Sequence, residues 1–272
     1  MSSSVLATLA TLSAAPTDTG GGFQAPTPQE FYQPLVGDGP FALTRPSVVI
    51  ILSVALISWW LVATTRRAAV VPGRTQWATE NLYNFVRNGV ARDIIGSKDF
   101  LRFVPLLFSM FTLILVNNVF GVIPPIQFPT MGRVAFPIAL TLIVFVVYHF
   151  LGMRRNGVGG YFRSLVPAGL PSWIVPFIFV LEVFTFFVTR PLTLALRLFG
   201  NMFAGHLLLL LFITGGEYMF TAGGLAMKVA SAGSFVLALV MTVFELLIEF
   251  LQAYIFTLLA ATYIAGSLAD EH

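Results

Sequence analysis

The segment LALRLFGNMFAGH, residues 194–206, places Arg197, Asn201 and His206 inside a long apolar run. A charge at the centre of a bilayer costs roughly 2.5–3.5 kcal/mol on insertion scales, so Arg197 requires a reason. A second apolar run carries Glu245, Glu249 and Gln252 at steps of four and three, which is one helix face. Arg197 and Asn201 share a face in the same way, and Glu182 and Arg190 precede them in the first run. A guanidinium does not deprotonate in proteins, so Arg197 is a fixed positive charge that either repels cations or attracts an anion. An imidazole titrates near neutral pH, and His206 is suited to a proton relay. Ionisable residues within a membrane mark ion or proton paths by default.

The two runs also match in height. In an antiparallel helical hairpin, residues at one level have position numbers with a constant sum. Arg197 with Gln252, Asn201 with Glu249, and His206 with Glu245 all satisfy this rule closely. His206 lies nine residues beyond Arg197 and points about 180° away on an ideal helix. Its pairing with Glu245 therefore needs local bending or a third wall.

Bond-making chemistry has no foothold in the chain. It has no cysteine, no HExxH, no GxxxxGK and no GxGxxG. No metal site and no cofactor are expected. His149 closes an apolar run and reads as an interfacial residue. Asn117 and Asn118 either line a polar cavity or cap a helix.

The elements that must position these groups are membrane helices. Of the 272 residues, 57% are hydrophobic and 10% charged, against about 25% charged in soluble domains, and the mean hydropathy is +0.87. The period-two alternation of a barrel is missing, which leaves an all-α polytopic membrane protein. Spans are expected over about residues 46–65, 103–123, 135–151, 172–214 and 226–266, with residues 46–272 forming one membrane domain. Pro124-Pro125 stops the second. Residues 1–45, rich in Ser, Thr, Ala, Pro and Gly, read as a flexible tail; VLATLATLSAAP imitates a signal peptide but lacks its basic start.

Leu82, Val86, Val90 and Ile94 recur every four residues, which predicts a helix over about 75–94 lying on the membrane surface, or a soluble connecting helix. Most of the 15 basic residues fall in two stretches, 66–102 and 154–163. The positive-inside rule puts both in the cytoplasm, the N-terminus outside and the C-terminus inside. The last two runs are long enough for helices of about 60 Å, twice the ~30 Å hydrocarbon core. The second holds no proline and only Gly233 inside it, so one tilted helix is expected, at about 60° rather than the usual ~20°. Pro191 can kink or split the first, and GGEYMFTAGG, 215–224, is the turn between them.

PLTLALRLFGNMFAGH resembles the signature of subunit a of the rotary (F-type) ATP synthase membrane sector. LLIEFLQAYIFTLLAATYIAGSLADEH, VPGRTQWATENLYNFV and NNVFGVIP extend the resemblance over roughly residues 46–272. It implies a non-catalytic, proton-translocating stator with two half-channels. Two steeply tilted helices would hug a rotating ring of c subunits, and peripheral-stalk b subunits and lipid would be partners. No nucleic acid is implied, and the location would be a bacterial plasma membrane. Arg197 then matches the essential arginine between the half-channels, and Asn201, His206, Glu245 and Gln252 match outer half-channel positions. Glu182 resembles an inner half-channel carboxylate, although its spacing to Pro191 is one residue long for the pattern. Glu249 reads as an additional channel acid, and Arg133 stands where many bacterial members carry an acid. A secondary transporter with an anion site at Arg197 is the competing reading. Internal repeats, its usual mark, are missing. A purely structural scaffold leaves the costly arginine unexplained.

Overall fold

A computed structural model describes residues 23, 26, 34–36, 43–66, 69–123, 130–166 and 169–268. Most of the tail expected to be flexible, Arg67, Pro124-Pro125 and the last four residues lie outside them. Within the tail, β1 (Pro34–Val36) pairs antiparallel with β2 (Leu43–Thr44). The Phe23 ring packs 5.7 Å from that of Tyr218.

The rest is helical. In order come α1 (Arg45–Thr65), α2 (Arg74–Val86), a π-turn over Arg87–Arg92, α3 (Asp93–Ile95) and α4 (Phe100–Val122). Then follow α5 (Ala135–Ser164), α6 (Val175–Phe184), a second π-turn over Thr185–Thr189, α7 (Arg190–Ala222) and α8 (Leu225–Leu268). Five helical stretches are long and apolar enough to cross a membrane: Pro46–Thr65, Phe100–Val122, Ala135–Ser164, Val175–Ala222 and Leu225–Leu268. The protein is an all-α polytopic membrane protein.

Helix α4 is the centre of the bundle. Its Leu107, Phe111 and Ile114 are fully buried in one core with Val86, Val90, Phe256, Ala260 and Ile264. Small residues on α8, Ala253, Ala260 and Ala261, let its backbone come close, as membrane interfaces favour. Helix α1 is peripheral: Ile51, Leu52, Trp59 and Val62 are exposed. It is tied to α4 by a buried polar cluster. Asn117 Nδ2 donates to Ser53 Oγ at 2.9 Å, and Thr130 Oγ1 donates to Asn117 Oδ1 at 3.0 Å. Asn117 is thus neither a cap nor a cavity wall.

Several expectations need revision. The stripe Leu82–Val86–Val90–Ile94 is turned to α4 and α8 and buries Val86 and Val90 completely, so protein rather than lipid covers it. The helix of the third span does not stop near residue 151. Helix α5 continues through Arg154 and Arg155 and breaks only at Gly157, whose φ of 69° suits glycine. The Tyr161 ring then folds back over Gly152, where a Cβ would collide with it. The turn between the long helices is Gly223-Gly224 alone, because Gly215 and Gly216 stay helical. Gly216 serves close packing: the Phe235 ring lies 3.3 Å from where a Cβ would be, and Ser231 Oγ donates to its carbonyl at 2.7 Å. The fourth span is interrupted before Pro191. Proline has no N–H to bond residue 187, and the helix relaxes so that the Arg190 N–H reaches back five residues to Thr185 O.

Replacing Asn117 by Ala strips partners from Ser53 and Thr130 in an apolar interior. A loss of about 1–2 kcal/mol is expected, read as a lower thermal midpoint of the purified protein, with Ser53→Ala costing less.

Candidate functional site

Helices α7 and α8 are in more extensive contact than any other pair among the described residues. Their polar groups converge at one level. Asn201 Nδ2 donates to Gln252 Oε1 at 2.9 Å. Beside this bridge a small cleft is lined by Asn118, Leu198, Asn201, Met202, Glu245, Ile248, Glu249 and Gln252. It has room for about a single water molecule. Asn118 closes its far wall and donates from Nδ2 to the Glu249 backbone carbonyl at 3.3 Å.

Both carboxylates are withdrawn from the surface, Glu245 being 6% and Glu249 2% exposed. None of their four oxygens meets a hydrogen-bond donor among the described residues. A carboxyl group in such a place keeps or receives a proton, or takes hydrogen bonds from outside the chain, because an unpaired buried charge is costly. Gly205 makes the Glu245 position possible. A Cβ there would lie 3.0 Å from Glu245 Oε1, tight enough to displace the carboxylate. His206, next in sequence, is buried on the same inner side of α7.

Arg197 is on the other side of α7 and is exposed. Among the described residues it makes no hydrogen bond and no ion pair. The half-turn offset between Arg197 and His206 is therefore real, but the register differs from the one read by height. Asn201 pairs with Gln252 rather than with Glu249, and Arg197 pairs with neither. Helical side chains lean toward their own N-terminus. On antiparallel helices Asn201 leans away from the Gly223-Gly224 turn and Gln252 leans toward it, so their tips meet although their Cα atoms are offset.

Glu182 stands apart. It lies on α6, half-buried, ahead of the π-turn, and does not line the cleft. Sequence reasoning left Asn118 undecided and missed Gly205, whose only signal is a glycine beside a buried histidine. It also misplaced His149. That ring is 5% exposed and sits among Phe145, Tyr148 and Phe187, with centroids 4.0–4.4 Å away. Arg190 lies near this aromatic group, its guanidinium 3.4 Å over the Phe186 ring and 5.3 Å from that of Tyr263.

Taken together, the site holds two buried carboxyl groups and a buried imidazole, with an amide bridge from exposed Asn201 to buried Gln252. The Arg197 guanidinium sits half a turn from His206, on the open side with Asn201, and has no partner among the described residues. Such a set can hand protons along short steps and can hold an external anion, but has no nucleophile aimed at a substrate.

Comparison with known proteins was made on this basis. The family model described as ATP synthase A chain matches residues 47–265. A protein of Nocardioides sp. named ATP synthase subunit a is 41% identical over 268 residues, covering 94% of this chain and 97% of the relative. Another, from Pseudarthrobacter chlorophenolicus, is 40% identical over 95% of this chain and 98% of its own length. One from Streptomyces lividans is 38% identical over 93% and 90%.

The Gly205–Glu245 contact is testable without reference to activity. Gly205→Ala is expected to cost about 1–2 kcal/mol through overpacking, read as a lower thermal midpoint. Adding Glu245→Asp, which shortens the acid, is expected to restore most of it; a midpoint that falls further instead would remove the contact from the account.

Proposed function

Because the chain belongs to the ATP synthase A chain family, we propose that it is the proton-conducting stator beside the rotating c ring. Arg197 would face the ring carboxylates, and the cleft behind it would belong to the outer half-channel. The observation that carries this reading is the division across α7. His206, Glu245, Glu249 and Gln252 are buried, whereas Arg197, on the open side with Asn201, has no hydrogen-bond or ion-pair partner among the described residues.

The mechanism follows from those positions. A proton entering from outside passes among His206, Glu245 and Glu249, each able to hold it for a step, while Asn201 and Gln252 orient the path by hydrogen bonds. It neutralises a ring carboxylate, which can then turn into lipid. A ring carboxyl arriving from the other side meets the fixed charge of Arg197, which favours the carboxylate, and its proton leaves toward the inner path. Glu182, separated from the cleft by the π-turn, is assigned to that inner path. Arg197 cannot carry a proton itself, so it blocks a direct leak between the two paths. No covalent step falls to this chain, and its role is non-catalytic.

The coupling ion is taken to be the proton, since an imidazole and carboxyl groups line the path. Most of the surface of α1 is uncovered, which suits contact with lipid and with b subunits of the stalk. Arg66, Arg74, Arg87, Arg92, Lys98, Arg102, Arg154, Arg155 and Arg163 cluster at one end of the spans. The positive-inside rule then supports residues 1–45 outside and the C-terminus in the cytoplasm, and the bacterial sources of the relatives suit a plasma membrane.

In vesicles holding the assembled complex, Arg197→Ala is expected to reduce ATP-driven proton pumping to background while assembly persists. Retained coupled pumping would sink the assignment. Removing His206 or Glu245 singly should cut pumping by about 10²-fold or more. Exchanging the two residues should retain more than either deletion, and equal losses would argue against the relay.

A further inference from the structure

The π-turn at Thr185–Thr189 leaves a backbone acceptor that the helix itself cannot satisfy. The Arg190 N–H is committed to Thr185 O, five residues back. In the same pattern the Phe186 carbonyl would take the N–H of residue 191, and Pro191 has none. Tyr148 of α5 fills the gap: its Oη donates to Phe186 O at 2.8 Å. An unpaired carbonyl at membrane depth is costly, so this bond is a condition of the turn rather than an accessory.

Arg190 grips the same residue from the other side. Its guanidinium lies 3.4 Å over the Phe186 ring and 5.3 Å from the Tyr263 ring of α8, and Tyr263 packs 5.7 Å from Tyr148. Arg190 and Arg197 are seven residues apart, two turns along α7, and so share a face to within about 20°. Whatever fixes Arg190 fixes the direction in which Arg197 points.

We propose that Tyr148 and Arg190 are positioning residues: they hold the π-turn ahead of Pro191 and thereby set the rotation of α7 that presents Arg197 outward. This rests on the reading of Arg197 as the stator arginine. A π-turn holds more residues per turn than an α-helix. Closing it to α geometry would turn α7 relative to α6 and move Arg197 off its line.

The test is a cycle of Tyr148→Phe and Pro191→Ala in the assembled complex. Pro191→Ala returns a backbone N–H, so the tyrosine hydroxyl becomes dispensable. Tyr148→Phe alone is expected to lower ATP-driven proton pumping about five- to tenfold, as the loss of one buried hydrogen bond allows, and to raise passive proton leak. In the Pro191→Ala background it should cost less than twofold. The chain has no cysteine, so single cysteines at exposed Leu196 and buried Leu198 report rotation through their relative maleimide labelling. Tyr148→Phe should shift that ratio, whereas a purely structural role would lower stability and leave it unchanged. An unchanged ratio, full activity, or the same fold-loss in both backgrounds would overturn the proposal. If Tyr148→Phe fails to assemble, assembly of the double variant supports it and failure of the double variant overturns it. The labelling ratio does not depend on what Arg197 does. Coupled pumping retained by Arg197→Ala would therefore defeat the functional reading while leaving a shifted ratio intact.

Discussion

Hydrocarbon offers a polar group nothing to bond with, and most of this structure follows from that constraint. Several backbone carbonyls in the bundle are met by a side chain of a neighbouring helix. Ser231 and Ser234 donate to the carbonyls of Gly216 and Phe212 where α7 and α8 close on each other. Tyr148 supplies the carbonyl left by Pro191. Ser53, Asn117 and Thr130 satisfy one another between α1 and α4. Against this background of satisfied groups, the exceptions are informative. Among the described residues, both oxygens of Glu245 and of Glu249 stand with a few other buried polar atoms, such as Thr112 Oγ1 and Thr141 Oγ1, without a hydrogen-bond partner, and Arg197 meets no acceptor.

The same constraint shapes the hairpin. Glycine, serine and alanine occupy the seam, where backbones must approach. Large apolar side chains go outward: Leu192, Leu196 and Leu208 on α7, and Leu239, Val243 and Leu247 on α8 are all exposed. An apolar outer face with one arginine on it suits a surface that is apolar except at one site. On the proposed reading the c ring is such a surface. The π-turn belongs to this design, because it is where the rotation of the arginine-bearing helix can be set independently of α6.

Legibility from the amino-acid order followed the strength of the local signal. Apolar runs announced all five spans, and the i+4 and i+3 spacings placed Glu245, Glu249 and Gln252 on one face. The Arg197–His206 offset followed from helix geometry alone. What could not be read depends on neighbours. Arg154 and Arg155 looked like the end of a span, yet a helix can run on past charges at the membrane surface, and the break falls at Gly157, one of several glycines in the segment. Gly215 and Gly216 read as a turn because glycine favours turns, but a packed partner makes glycine useful in a helix. Height matching missed the Asn201–Gln252 bridge because side chains lean. The cleft wall at Asn118 comes from a helix more than a hundred residues away in sequence, and no periodicity carries that information.

The separation of Arg197 from Glu245 and Glu249 has an energetic consequence. Had the hairpin paired them, the attraction in a low-dielectric interior would hold the pair closed, because breaking it would strand two buried charges. A guanidinium neutralised by its own chain has little attraction left for an outside carboxylate. Carboxylates pinned by it would also resist protonation, since an adjacent positive charge favours their ionised form. Placing the arginine on the open side of α7, where it makes no ion pair with either acid, keeps both functions available. The acids stay free to exchange protons in a space the size of one water, and the arginine keeps its charge for a partner that comes and goes. The unsatisfied groups are thus arranged so that they cannot satisfy one another, which is what passing protons to a moving carboxylate requires.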